Sequence, residues 1–239
     1  MKDEIYQFSN LLSYPKLKHG ISTKSFGSMK KEDGEINYEN LEYFRTKLGI
    51  KERAVTMQQI HSGNVSIVRD ASNLRIADTD ALVTNKKGIP LIVLTADCLP
   101  ILLFDPKKEV IGLVHAGYRG LLNRIIEHTI DRMKSEFGTD SKDIIVGIGP
   151  AIEQRCYEVG EEVIAKFTDA FPSFQNIFIK KDEKYFLNLR EIALQSLLKE
   201  GITKDHIEVA DVCTKCDDRF YSYRGGDKNG RFGSIICLR

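Results

Sequence analysis

Residues 80–116 contain DALVT, IPLIVLTAD, CLPILLFD and EVIGLVHA, strand-like runs separated by little more than turn residues. DPKKE, between the last two, has the composition of a hairpin connection. Strands that arrive in such a cluster pair with one another before a helix intervenes, so strict βαβ alternation is excluded. Inside this apolar stretch Asp97 and Cys98 stand side by side, with Pro100 close behind. A carboxylate there is costly to bury unless something pairs with it.

Beyond GYRG the period changes. Leu122, Ile126, Ile130, Met133 and Phe137 recur at helical spacing, and Gly138 is placed to end the helix. DIIVGIG reads as another buried strand, and VGEEVIAKFTDAF as a helix with glutamates in its first turn. NLREIALQSLLKEG reads as a helix with a capping box from Asn188 and Glu191, closed by Gly201. Upstream, VTMQQIH and NVSIVRD read as strands joined by a hairpin turn at Ser62-Gly63. The tail RFYSYRGGDKNGRFGSIICL reads as a hairpin with a basic, glycine-rich tip. No repeat, linker or low-complexity tract divides the chain, so the pattern predicts one α+β domain over residues 1–239.

Net charge is +1, from 35 basic and 34 acidic residues, which offers no electrostatic reason to expect nucleic acid or a membrane as partner. Asp97, Pro90 and Pro100 interrupt the most apolar stretch and argue against a membrane span. MKDEIYQFSN lacks the apolar core of a secretory signal. Five cysteines in a chain of 239 residues do not suggest a disulfide framework, so a reducing cytoplasm is expected. Neither GxGxxG after a strand nor GxxxxGK[ST] occurs, which removes the usual dinucleotide and nucleoside triphosphate cradles.

His61, Cys98 and His115 each sit where a strand-like run gives way to a turn. Two imidazoles and a thiolate make a reasonable zinc set that leaves a fourth position open. A Cys/His nucleophilic pair explains Cys98 equally well, and an inert buried thiol with hydrogen-bonded histidines is the plainer account. Asp80 and Asp97 could orient a histidine ligand or cap a turn. Arg119 falls at a helix start where an anion is favoured, and Arg224 and Arg231 lie on a flexible segment suited to phosphate. Of these, Arg231 reads best as solvated surface charge. Cys213 and Cys216 form one CxxC, a weak metal signal that His206, Cys156 or Cys237 would have to complete. Incidental thiols are the simpler reading.

QQIHSGNV, DALVT, TADCLPILLFD, VIGLVHAGYRG, GPAIEQRCYEVG and FYSYRGG occur in the order and register of the YfiH/laccase-domain family. The resemblance runs from about His19 to the C-terminus. It implies an α+β fold of two packed mixed β-sheets flanked by helices, a four-layer arrangement similar to cysteine hydrolases. It implies a metal held by His61, Cys98 and His115: zinc, with copper as the alternative ion. It also implies purine nucleoside phosphorolysis of adenosine, inosine and methylthioadenosine, accompanied by adenosine deamination. Cys98, Asp97 and Arg119 are then the expected catalytic residues, and Arg119, Tyr223, Arg224 and Gln59 the expected contacts to nucleoside and phosphate. No obligate protein partner is implied. The family has also been described as copper polyphenol oxidases and as peptidoglycan precursor editing factors, the latter suggesting Cys–His amide hydrolysis.

The chain departs from the family pattern in three places. Tyr118 replaces tryptophan in HAGWRG, FGSMKKEDG replaces a glycine-rich N-terminal loop, and Asn188 replaces the aspartate of LDL. With only five histidines, the chain cannot assemble a histidine-rich multicopper cluster.

Overall fold

In the strand Leu99–Asp105, Leu102 and Phe104 enter one hydrophobic core while Ile101 and Leu103 enter another. That two-residue alternation, repeated in its neighbours, makes this strand the middle of a stack and not an outer face. The computed structural model describes residues 4–239.

Two sheets carry the stack. The six-stranded sheet runs Ile207–Val209, Ile145–Ile148, Leu99–Asp105, Val110–Ala116, Ala81–Thr84 and Val65–Ile67, and mixes parallel edge pairings with antiparallel central ones. The four-stranded sheet, Ile5–Tyr6, Leu17–Ser22, Phe232–Leu238 and Leu91–Thr95, is antiparallel throughout. Between them lie Leu82, Leu102, Phe104 and Leu113 from one sheet and Ile21, Leu91, Val93 and Ile236 from the other. Helices Ile125–Phe137 and Leu189–Lys199 cover the far face of the larger sheet, and helix Tyr38–Lys47 packs over the smaller. This is the expected four-layer α+β arrangement. Among the described residues no helix is long and apolar enough to cross a membrane.

Several local expectations hold for physical reasons. Leu99–Asp105 and Val110–Ala116 form a hairpin, and the Asp105 carboxylate closes its turn by accepting the amides of Lys107 and Lys108 at 2.8 and 3.0 Å. Asn188 caps its helix by accepting the Glu191 amide at 3.1 Å. The reciprocal half of the capping box is absent: the Asn188 amide donates to the Ile177 carbonyl, and Glu191 accepts from Gln195 instead. The helix after GYRG is broken. Arg124 at φ 55° divides Tyr118–Leu122 from Ile125–Phe137, and Gly138 at φ 69° ends the second piece.

Two expected hairpins do not form. Thr56–Met57 pairs with Arg75–Ile76 and Val65–Ile67 pairs with Ala81–Thr84, both in parallel, so the runs flanking Ser62-Gly63 enter different sheets. In the tail, Phe232–Leu238 lies between Leu17–Ser22 and Leu91–Thr95, which satisfy both its edges. Residues 219–231 are left as turns that fold over the Asp97 bend.

That bend positions the site. Leu91–Thr95 belongs to the four-stranded sheet and Leu99–Asp105 to the six-stranded one, so residues 96–98 carry the chain from one sheet to the other. Asp97 makes the corner at φ 84°, a left-handed conformation that aspartate tolerates better than most residues.

Candidate metal centre

Asp80 has no exposed surface, yet every approach to its carboxylate is occupied by a donor. One oxygen accepts the His61 amide at 3.0 Å and Nδ1–H of His115 at 2.8 Å. The other accepts the Ser62 amide at 2.6 Å, its hydroxyl at 2.7 Å, and the Ile60 amide at 3.2 Å. Burial alone would raise the Asp80 pKa, but these bonds, led by that from His115, outweigh it and hold the group at about 2. The permanent carboxylate fixes the His115 tautomer and pins the loop that places His61 at φ 61°.

His61, Cys98 and His115 converge, each offering a ligand atom within 4.8 Å of the others. The His61 and His115 rings meet edge to face with centroids 4.7 Å apart, and His61 Nε2 lies 4.0 Å from Cys98 Sγ. His115 is buried and His61 exposed, so the centre is rigid on one side and open on the other. Burial pushes the Cys98 thiol up, but the two histidines more than reverse this and bring it down to about 6. Burial likewise lowers His115, whereas Cys98 and Asp80 raise it to about 9. In the metal-free chain the geometry therefore favours a thiolate beside an imidazolium. The glycine of HAG is needed for space: a Cβ on Gly117 would stand 2.9 Å from Cys98 Sγ and 3.1 Å from the His61 ring.

Asp97 is placed differently from a histidine-orienting carboxylate. Its side chain accepts the Thr214 and Ser222 hydroxyls, both at 2.7 Å, and the Arg224 amide at 2.7 Å. It thereby fastens the 219–231 segment over the centre. The result is a cavity of about 390 Å³ whose lining includes all three soft donors. That volume suits a small organic molecule.

The lining includes some expected contacts but not others. Tyr223 and Arg224 are part of it, and the Arg224 guanidinium stacks 4.9 Å over the Tyr157 ring. Gln59 also lines it, but its amide is committed to Leu94, donating to the carbonyl at 2.8 Å and accepting the amide at 3.0 Å. Arg119 is not among the lining residues; its Nε donates to the Tyr118 hydroxyl at 3.0 Å. Arg231, read from sequence as surface charge, lines the cavity together with Lys30 and Arg75. The divergent FGSMKKEDG segment thus reaches the pocket through Lys30 and Gly34, while Asn188 does not. Tyr157, in the CYEVG block, was not anticipated as a wall.

A family model described as multi-copper polyphenol oxidoreductase laccase matches residues 18–239. The chain belongs to the laccase-domain (YfiH) family. Relatives of this laccase-domain chain include the purine nucleoside phosphorylase of Bacteroides thetaiotaomicron, 32% identical over 97% of this chain and 95% of its own. The purine nucleoside phosphorylase of Clostridium acetobutylicum is 34% identical, covering 87% of this chain and 85% of its own. Among solved structures, YlmD from Geobacillus stearothermophilus superposes with a TM-score of 0.88 at 26% identity over 99% of each chain. YfiH from Bacillus licheniformis gives 0.86 at 28% identity, over 94% of this chain and 93% of its own.

The donor set fits one ion better than a multicopper cluster. The other histidines of the laccase-domain chain lie elsewhere: His19 accepts the Phe8 amide at 2.9 Å, His128 lies 2.9 Å from the Gly63 carbonyl, and His206 ends the turn Lys204–His206. Two imidazoles and a thiolate, one imidazole oriented by Asp80, form a donor group that could hold a single metal ion.

Proposed function

We propose that this chain is a zinc-dependent purine nucleoside phosphorylase with adenosine deamination as a side activity. In phosphorolysis a phosphate oxygen bonds to the anomeric carbon as the glycosidic C–N bond breaks, and the base departs with a proton. The products from adenosine, inosine or methylthioadenosine are the free base and a pentose 1-phosphate. In deamination, water replaces the amino group of adenosine and ammonia leaves. One observation carries the reading: the His61/Cys98/His115 donors share a cavity with Lys30, Arg75, Arg224 and Arg231. A soft-metal centre sharing its cavity with Lys30, Arg224 and Arg231, and with Arg75 paired to Glu35 at 2.8 Å, suits a nucleoside and phosphate together.

In this reading Arg224 and Arg231 hold the phosphate, where the sequence reading places Arg119 together with Arg224. The Tyr157 and Tyr223 rings provide faces for the purine. Asp97 acts as a positioning residue, because its carboxylate is already engaged by Thr214, Ser222 and the Arg224 amide. Asp80 keeps a His115 proton on Nδ1, so that the opposite nitrogen is the one that would bind metal on giving up its own proton. Zinc held by the three donors supplies Lewis acidity beside the bound substrate.

A second reading has its own support. Cys98, His115 and Asp80 form a thiolate–imidazole–carboxylate chain, the order of a cysteine amide hydrolase, for which a peptidoglycan precursor is the candidate substrate. Copper at the same three donors is the remaining oxidase alternative. Turnover of adenosine with and without phosphate, with metal quantified, separates them. Base and pentose 1-phosphate should form only with phosphate and disappear in Cys98→Ala. Turnover indifferent to phosphate and retained in Cys98→Ala would overturn the phosphorylase reading.

A further inference from the structure

Away from the pocket, the fold gathers a second set of soft donors. Cys213 and Cys216 bracket a tight turn in which the Cys216 and Asp217 amides both donate to the Cys213 carbonyl, at 3.1 and 2.9 Å. Cys156, 60 positions earlier than Cys216, ends the turn Gln154–Cys156 and sets its Sγ 3.4 Å from that of Cys216. The three sulfurs lie within 4.8 Å of one another, and all three are free thiols. Of the residues that sequence allowed to complete the CxxC pair, the fold selects Cys156. Cys237 points its thiol at the Leu238 carbonyl in the four-stranded sheet, and His206 lies in a separate turn.

We propose that Cys156, Cys213 and Cys216 form a second metal site, binding a thiophilic cation of the zinc type through three thiolates. The spacing supports this. Zinc–sulfur bonds of about 2.3 Å place the sulfurs of a tetrahedral site about 3.8 Å apart, within the range spanned here. A two-residue spacer is the usual way one turn supplies two thiolates. The Glu153 amide points at Cys213 Sγ from 3.5 Å, a backbone donor aimed at the sulfur. Glu153, Asp211, Asp217 and Asp218 border the shallow opening beside Cys213 and Cys216; Glu153 pairs with Arg155 at 2.8 Å and Asp217 with Arg219 at 2.7 Å. Cys216 is exposed, so the fourth position faces solvent and the ion can exchange.

The site is placed to act as a clamp. Thr214, between the CxxC cysteines, donates its hydroxyl to Asp97 at 2.7 Å and its amide to the Ala151 carbonyl at 3.1 Å. A cation across the three thiolates ties the Gln154–Cys156 turn to the turn that braces the Asp97 corner. This inference stands apart from the phosphorylase reading and survives its failure.

The test uses the full chain under anaerobic, reducing conditions. Cys98→Ala removes the thiolate of the first centre, so cobalt added to that variant should show thiolate-to-cobalt charge transfer saturating at one equivalent. Adding Cys216→Ser should abolish that absorption. If the double variant does not fold, zinc protection of wild-type Cys156 and Cys216 against alkylation, read by mass spectrometry, takes its place. Absence of charge transfer in Cys98→Ala, its survival in Cys98→Ala/Cys216→Ser, or alkylation indifferent to zinc would each overturn the proposal.

Discussion

Asp80 Oδ1 accepts Nδ1–H of His115 at 2.8 Å and the His61 amide at 3.0 Å, so one carboxylate oxygen positions both histidines of the metal centre. Asp80→Asn keeps the shape but presents one acceptor oxygen and an NH₂ to a ring of donors. Zinc affinity should fall by roughly 10- to 100-fold, the usual effect of losing a carboxylate behind a histidine ligand. Competition against a chromophoric chelator measures this; unchanged affinity would show that Asp80 only braces the loop.

Gly117→Ala tests the close approach beside Cys98. The added methyl group would stand 2.9 Å from the sulfur, and the donors must separate to admit it. Overpacking of this kind costs about 1–3 kcal/mol. The variant should fold with a modestly lower Tm and lose most of its metal at the first centre. Full metal occupancy there would mean that the centre is looser than the contacts indicate.

The phosphate assignment separates cleanly. Arg231→Met should raise the KM for phosphate by about tenfold or more, the worth of one charge-assisted hydrogen bond. Arg119→Ala should leave it nearly unchanged, because that side chain bonds to the Tyr118 hydroxyl and does not line the pocket. The reverse ranking would restore Arg119 as the phosphate ligand.

Stability should fall on the acid side through His19. Burial holds its imidazole at about 4 against an ordinary 6.5, and its Nε2 accepts the Phe8 amide at 2.9 Å. Below pH 6.5 the unfolded chain binds a proton that the native chain refuses. The His19 contribution is therefore complete above pH 6.5 and lost as pH falls toward 4, by about 3 kcal/mol at most. In urea unfolding across this interval His19→Gln should flatten the decline, since its amide oxygen can still accept from Phe8 without titrating. An unchanged slope would place the acid sensitivity elsewhere.

The strand cluster and the placing of three soft donors at strand ends were visible in local pattern, whereas the four layers and the shared ligand role came from the family resemblance. Continuous apolar runs bounded by turn residues mark the strands of residues 80–116, and His61, Cys98 and His115 each sit where such a run gives way to a turn. The connections were less legible. Nothing in LTADCLP announces that the chain changes sheets at Asp97, since both halves read as apolar strand. Ser62-Gly63 looks like a hairpin turn because the decisive partner, Asp80, lies beyond the next run. Arg231 lines the pocket and Arg119 does not, for the same reason. Proximity to HAG along the chain favoured Arg119, whereas the pocket is closed by a segment that Asp97 draws in from more than a hundred residues away. Cys156 joins the CxxC pair across a gap of 60 residues from Cys216.

Zinc reconstitution of metal-stripped Cys216→Ser protein, with pentose 1-phosphate measured as product, tests the central claim most directly. That background removes a ligand of the second site and leaves His61, Cys98 and His115 untouched. Phosphorolysis should return in proportion to the first equivalent of zinc and then level off. Full product formation by the stripped protein, or none after one equivalent is bound, would contradict the account.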